Sequence, residues 1–302
     1  MKKILTFYFA MTFLCIWPLR ANARLNVITT TQDLAALTME IGKSRVKVKS
    51  LTHGSQNVHF IEPKPSMILA AKRADMLVLV GADLETGWLP VLIKSARNRK
   101  ISRGSRGYLN ASIAVDLIGK PEGIIDRSMG DVHPQGNPHY LLNPINGIKV
   151  AKSISKRLSE IDPSGSEVYT NNFGLFKEKL LKKFDQWQNT MTGTKQTTIM
   201  QYHRSWDYLA KAFGFSITGQ VEDKPGMPPS LSRLKAVIDI IQGQKVKLLL
   251  MTTYQDKKYA RLLSEKTDIS VLRLPAAVGG VKGIHSYFDL FDYLVKSISH
   301  AK

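Results

Sequence analysis

The chain has one cysteine in 302 residues, so it cannot form a disulfide within itself. That cysteine, Cys15, lies in an N-terminal segment typical of a secretory leader, with a basic start, an apolar run at 4–18 and the small-residue signal "ANA" at 21–23. The preceding residues, "TFL", lack the small residue expected before a lipidated cysteine. We expect residues 1–23 to be a signal peptide cleaved after Ala23, so the mature fold depends on its hydrophobic core alone.

Long hydrophobic runs are also lacking. The apolar run at 4–18 is shorter than the ~20 residues that a membrane-spanning helix needs. An uncleaved membrane anchor is the alternative, and this length disfavours it. We therefore expect an exported protein that does not itself span a membrane.

Acidic residues are scarce, with 24 Asp and Glu against 43 Lys and Arg. Removing the leader takes away three basic residues and no acidic ones, which leaves a net charge of +16. Such a charge attracts polyanions, and a basic adhesin stays open as an alternative. Nucleic acid is not an expected partner, because the basic residues are scattered except at 94–106 and aromatic residues are not interleaved with them.

Hydrophobic residues make up 43% of the chain, enough for two α/β domains with cores of their own. In the first half, β-rich runs at 25–30, 46–52 and 75–81 alternate with helical patterns at 31–42 and 65–74, and a further helix follows a loop-rich region at about 98–140. In the second half, strands are predicted at 196–202, 216–221, 246–254 and 269–274, with helices between them. The alternation indicates two doubly wound, parallel-rich sheets.

A single long helix is predicted between the two halves, at 166–191. Aromatic and aliphatic residues recur along it at steps of three and four: Tyr169, Phe173, Phe176, Leu180, Phe184, Trp187 and Met191. A helix of this length extends about 39 Å, enough to run along two domains. We predict an N-terminal lobe at 24–163, a linking helix at 164–192 and a C-terminal lobe at 193–302. Ligands of such sheets bind beyond the carboxyl ends of the strands, which places a site in the cleft between the lobes.

Three histidines come where strand ends or rigid loops deliver side chains to such a cleft. His59 follows the second strand, His139 lies in the proline-rich stretch "GDVHPQGNPHYLLNP", and His203 ends the strand "TIMQYH". Three neutral imidazoles suit a borderline-soft divalent ion, above all zinc. Their spacing is not a compact metal motif, so the residues alone leave open that each is a structural histidine.

Three blocks of sequence around these histidines resemble a known family. "NVHFIEPKPSMILAAKRADMLVLVGADLETGWLP", "NPHYLLNPING" and "YHRSWDYLAKAFGF" are similar, in order, to the metal-ligand blocks of the solute receptors of ABC importers, the zinc and manganese family. The resemblance covers nearly the whole mature chain. The blocks are specific together, although each one is weak alone.

The resemblance implies a periplasmic receptor rather than an enzyme, with the metal bound between two lobes by His59, His139 and His203. It also implies a monomer that delivers the ion to a membrane permease with its ATPase. Pro138 fixes its own φ and restricts the residue before it, so His139 should lose little freedom when a metal binds. His133 matches no family block, and its expected role is that of a loop histidine, with a supporting or transient capture role as the alternative.

The sequence departs from the family where further ligands would be expected. Pro275 stands where many members carry an aspartate, and Thr252 stands where a Glu-Pro pair is common. We expect water as the fourth ligand, with Glu222 and Glu62 as alternatives. Loss of a hard oxygen donor favours zinc over manganese.

An open fourth position on a three-histidine zinc site is also found in hydrolases. Glu62 and Glu222 have the right chemistry for a general base. The chain contains neither an HExxH element nor a nucleophile elbow, which disfavours a secreted zinc hydrolase.

Overall fold

The computed structural model describes residues 24–123, 130, 132–194, 197–224 and 226–301. The predicted signal peptide, residues 1–23, lies outside the described residues. Within the part that is described, no helix combines the length and the apolar character needed to cross a membrane.

The first lobe is built on a four-stranded parallel sheet. Its strands are β1 (Leu25–Thr29), β2 (Val46–Ser50), β3 (Met76–Leu79) and β4 (Tyr108–Asn110), in the order β2-β1-β3-β4. Every pair is parallel, and β1 pairs with β2 from Leu25↔Val46 onward. All four residues of β3 are buried, because helices cover both faces of a parallel sheet.

Four helices surround this sheet: α1 (Gln32–Gly42), α2 (Pro65–Lys72), α3 (Leu89–Ala96) and α4 (Pro144–Ile161). Their starts follow from local chemistry. The Thr31 side chain accepts a hydrogen bond from the backbone N–H of Leu34, Pro65 begins α2, and Asn143 caps α4 by accepting from the N–H of Ile145.

The second lobe repeats this architecture. Its strands are β5 (Thr198–Gln201), β6 (Ser216–Gln220), β7 (Leu248–Thr252) and β8 (Ser270–Leu274), all parallel, in the order β6-β5-β7-β8. Its helices are α6 (Asp207–Phe213), α7 (Leu231–Gly243), α8 (Lys257–Thr267) and α9 (Tyr287–Ser299). The strand order places β1 and β5 inside their sheets, with a neighbour on each side.

Between these two sheets runs α5 (Ser166–Thr190), a helix of 25 residues. Its apolar stripe is buried, and it contacts α1 and α4 of the first lobe and α9 of the second. Trp187 stacks on Phe291 with ring centroids 5.1 Å apart, and Phe176 meets Phe288 edge to face at 5.6 Å. The two lobes therefore share one hydrophobic core along α5.

The predicted fold class, two lobes with parallel sheets and a long linking helix, is confirmed. The region predicted as loop, about 98–140, contains the short strand β4, whose three residues give too little alternation to detect. Most of the predicted strands are longer than the observed ones; β7, for example, covers 248–252 rather than 246–254. The helices α3 and α9 were not predicted at all.

The lobes also meet through backbone contacts near α1. The Asp33 carboxylate, buried in the first turn of α1, accepts a hydrogen bond of 2.8 Å from the N–H of Val278 in the second lobe. Gly54 lies so close to the same segment that a Cβ there would stand 2.0 Å from the carbonyl oxygen of Val278. Only glycine fits this contact.

We expect Leu180→Ala to lower the free energy of unfolding by about 2–5 kcal/mol, because this α5 side chain is completely buried in the shared core. Urea unfolding followed by circular dichroism measures the change. Leu175→Ala is the matched control: it lies on the same helix but is 59% exposed, and its effect should stay within about 0.5 kcal/mol. Equal losses in the two variants would contradict a core shared along α5.

The buried Asp33 should make stability fall as pH rises. Burial raises its pKa to about 7, a shift that the hydrogen bond from Val278 partly offsets. An unfolded aspartate has a pKa of about 3.9, so between these values the folded chain keeps a proton that the unfolded chain loses, at a cost of up to about 1.4 kcal/mol per pH unit. Asp33→Asn keeps an acceptor for Val278 and cannot titrate.

The stability of Asp33→Asn relative to the unmodified chain should therefore increase from pH 5 to pH 7 and level off above about pH 8. Urea unfolding of the metal-free proteins across this range measures it. Glu85, whose pKa burial also raises to about 7, titrates in both proteins and cancels in the difference. Parallel pH profiles of the two proteins would mean that Asp33 is ionised in the folded state.

Candidate metal centre

Three imidazole rings converge where the two lobes meet. His59, His139 and His203 each offer a ring nitrogen, and these atoms lie within 4.8 Å of one another. The ring centroids are 5.5–5.6 Å apart. His59 and His203 are 8% exposed, while His139 is less deeply buried. The structure thus brings together all three histidines that the sequence singled out.

His59 comes from the loop that follows β2. The Asn57 side chain accepts a hydrogen bond of 3.2 Å from the N–H of His59, which fixes a local turn. The Trp88 indole donates to the carbonyl oxygen of Val58 at 2.9 Å and ties the loop to the start of α3. The position of His59 is therefore set by the buried Trp88, 29 residues further along the chain.

His139 is positioned by its neighbour Asn137, which contacts both lobes. The Asn137 side-chain oxygen accepts from the N–H of His139 at 2.9 Å, and its amide nitrogen donates to the carbonyl oxygen of Arg204 at 2.8 Å. The next residue, Tyr140, donates its hydroxyl to the carbonyl oxygen of Val80 at 2.6 Å. Asn137 thus joins the segment that carries His139 to the segment that carries His203.

His203 follows β5, at the carboxyl edge of the second sheet. The Gln201 side chain braces the turn by accepting from the N–H of Trp206 at 3.0 Å and donating to Asp207 at 2.8 Å. Glu222 Oε2 lies 2.7 Å from Nδ1 of His203, and both side chains are about 10% exposed. A carboxylate can only accept, so Nδ1 carries a proton, which leaves Nε2 as the ring nitrogen that a metal ion could use.

The electrostatics of the site favour a neutral imidazole at His139. Burial, and then the neighbouring rings of His59 and His203, hold the pKa of His139 well below its usual value of 6.5. Nε2 of His139 is buried and has no hydrogen-bond partner among the described residues. A neutral imidazole with an unused buried lone pair is suited to a metal ion, which takes the place of a hydrogen-bond donor.

Neither carboxylate predicted as an alternative fourth ligand joins the three rings. Glu62 is exposed, and Glu222 is engaged with Nδ1 of His203 and the N–H of Gly226. Pro275 and Thr252, where the family pattern has acidic residues, are both buried. Within the part of the chain that the structure describes, the only group of potential metal ligands of this size consists of histidines alone.

Several residues around the site were not predicted from the sequence. The sequence patterns did not single out Asn137, whose amide connects the two lobes. Glu85 is buried and accepts hydrogen bonds from Thr30 and from the N–H groups of Val80 and Gly81, so it shapes the end of β3. An acidic residue between Leu84 and Trp88 was the available signal, but its partner Thr30 is 55 residues away in sequence.

Two cavities flank the rings. An outer pocket of about 240 Å³ is bordered by His59, His203 and Glu222, and a smaller cavity of about 60 Å³ lies behind His59 and His139, beside Asp33. Tyr254 lines both, and burial raises the pKa of its phenol to about 12, so it stays neutral. The outer pocket borders His59 and His203, and the smaller cavity borders His59 and His139, so the two spaces together reach all three rings.

The arrangement was compared with known proteins. The family model described as periplasmic component A of the zinc-uptake complex, ZnuA, matches residues 27–301. The metal ABC transporter substrate-binding lipoprotein ScbA of Streptococcus cristatus is 27% identical over 294 residues, which cover 92% of this chain and 89% of the relative. The manganese ABC transporter substrate-binding lipoprotein PsaA of Streptococcus pneumoniae has the same identity and coverage.

Among solved structures, a zinc-bound deletion mutant of ZnuA matches 92% of this chain and 98% of its own, with a TM-score of 0.76 and 21% identity. At this identity, the similarity to the solved structure shows a shared fold and nothing more. The family match extends over nearly all of the described residues, and the two relatives are aligned over most of their length. The chain is a member of the ZnuA family, the substrate-binding components of metal ABC importers.

Proposed function

We propose that this protein captures a zinc ion between its lobes through His59, His139 and His203. The observation that carries the proposal is the convergence of three ring nitrogens within 4.8 Å at the carboxyl edges of two sheets. Zinc–nitrogen bonds of about 2.0–2.1 Å place three ligating atoms around one ion at mutual distances of about 3.4 Å. A small inward movement of the rings reaches that geometry.

Zinc is favoured over manganese by the donor set. Manganese prefers oxygen ligands, whereas imidazole suits zinc, copper and nickel. Among the described residues no carboxylate belongs to the group of converging ring nitrogens. PsaA is named for manganese and the ZnuA family for zinc, so the choice for this chain follows from its own side chains.

Glu222 supports the zinc site in this proposal without binding the ion. Its hydrogen bond fixes the tautomer and the ring orientation of His203 and makes the imidazole a stronger donor. The same contact disfavours a hydrolase, because the carboxylate that would serve as a general base is held by Nδ1 of His203. A receptor, unlike a hydrolase, does not need a free carboxylate as a general base.

Delivery completes the proposed function. After export and removal of residues 1–23, the monomeric receptor binds one ion in the periplasm and carries it to a membrane permease driven by an ATPase. The helix α5, packed against both lobes, limits the movement that accompanies binding. A basic adhesin is the competing proposal, and mutation of the basic stretch 94–106, set against mutation of the three histidines, separates the two.

The first test is titration of the chelator-treated protein with zinc and with manganese, measured by calorimetry. We expect one zinc ion per chain with sub-micromolar affinity and a much weaker response to manganese. Zinc at 100 times its dissociation constant should stabilise the fold by about 2.7 kcal/mol, visible as a higher melting temperature. The triple variant His59→Ala, His139→Ala, His203→Ala should show neither effect.

The matched control replaces His53, His285 and His300 by alanine, since all three are exposed and none is among the ring contacts of the three converging histidines. It should bind zinc as the unmodified protein does. Stoichiometric zinc binding by the triple variant would contradict the proposed site. So would a lack of zinc binding by the unmodified protein.

Glu222→Gln should weaken zinc binding by about ten- to hundredfold, because glutamine keeps the shape but loses the charge that polarises His203. Competition with a chromophoric chelator measures the dissociation constant. Asp223→Asn changes the neighbouring, exposed carboxylate and should leave the constant unchanged. A loss of similar size in both variants would show that overall charge, and not the contact with His203, governs affinity.

A further inference from the structure

A fourth imidazole lies beside the three converging rings. The ring centroid of His133 is 5.0 Å from that of His59, a shorter distance than the 5.5–5.6 Å between the rings of the other three histidines. Its Nε2 is buried. Its proximity also contributes to the lowered pKa of His139. His133 therefore belongs to the same cluster, although the family blocks do not contain it.

The backbone between His133 and His139 explains how both rings reach one place. The N–H of Gly136 donates to the carbonyl oxygen of His133 at 3.0 Å, and Gly136 has φ +118, which side-chain-bearing residues rarely adopt. The N–H of Asn137 then donates to the carbonyl oxygen of Ile118 at 2.9 Å. This tight turn reverses the chain and directs two imidazoles, six residues apart, into the cleft.

The three converging histidines leave one coordination position of a zinc ion open, which the His133 ring could fill. Zinc in proteins is usually four-coordinate, and four imidazoles arranged tetrahedrally around it have ring centres about 5 Å apart. The three spacings among His59, His139 and His203, and that between His133 and His59, match this value. Two carboxylates that could compete are placed elsewhere, since Glu62 is exposed and Glu222 is held by His203.

We propose that His133 supplies the fourth ligand and makes the centre an all-nitrogen, carboxylate-free site that selects zinc-like ions against manganese. The inference rests on the proposed function, because it concerns the same ion. His133 is not within the set of mutually close ring nitrogens, so binding draws its ring from His59 toward the ion. The buried Pro275, in place of an acidic residue, is then compensated from the opposite lobe.

X-ray absorption of the zinc-loaded protein tests the ligand set directly. We expect four nitrogen ligands with the scattering pattern of imidazole in the unmodified protein, and three nitrogens with one oxygen in His133→Gln. The zinc dissociation constant of His133→Gln should rise at least about tenfold, the lower end of the losses seen when the surroundings of a metal site are altered. His53→Gln, an exposed histidine of the same lobe, is the control and should change neither result.

His133→Asp tests selectivity in the other direction. A carboxylate in place of the imidazole restores an oxygen donor, so the ratio of manganese to zinc affinity should rise by at least about tenfold. This gain cannot come from a misfolded variant. Melting curves of the metal-free proteins, which should coincide, check the fold of each.

The outcomes separate this inference from the proposed function. Three nitrogens and one oxygen in the unmodified protein, or zinc binding by His133→Gln that matches His53→Gln, would overturn the role of His133 and leave the three-histidine receptor intact. Failure of the unmodified protein to bind zinc would overturn both. Four nitrogens, weakened binding in His133→Gln and a shift toward manganese in His133→Asp together support a four-imidazole centre.

Discussion

The burial of one face of α5 is the constraint on which the rest of the structure depends. Because this face packs against helices of both lobes, it fixes how far apart and at what angle the two parallel sheets lie. The carboxyl edges of the sheets then face each other across a narrow gap. His59 and His139 come from one side of that gap and His203 from the other, so the geometry of the three rings follows from core packing and not from the loops alone.

Hydrogen bonds between the lobes add to the positions that core packing gives the two sheets. The amide of Asn137 reaches His139 on its own segment and the backbone of Arg204 on the other lobe, and the carboxylate of Asp33 holds Val278. The contacts of Asn137 with Arg204 and of Asp33 with Val278 join the lobes close to the rings. The cleft therefore has walls that are held in place before an ion arrives, which reduces the entropy lost on binding.

The periodic parts of the sequence predicted the fold well. The stripe from Tyr169 to Met191 predicted a helix at 166–191, and the observed helix covers 166–190. Prediction failed for β4, with three residues, and for the side-chain hydrogen bonds of Asn137, Glu85 and Glu222, which join residues up to 70 positions apart. Periodicity depends on the local chain, while these contacts depend on the tertiary fold, so the sequence could indicate the histidines but not the groups that orient them.

With a single cysteine, the chain has no internal disulfide to connect distant positions. A metal ion bound by the three histidines would provide such a connection. A metal ion that joins positions 59, 139 and 203 closes two long loops and connects the lobes, as a pair of disulfides would. It differs from a disulfide in being removable. The protein would thus be cross-linked while it carries its cargo and lose that cross-link on delivery, so that proteases would cut the emptied receptor more readily than the loaded one.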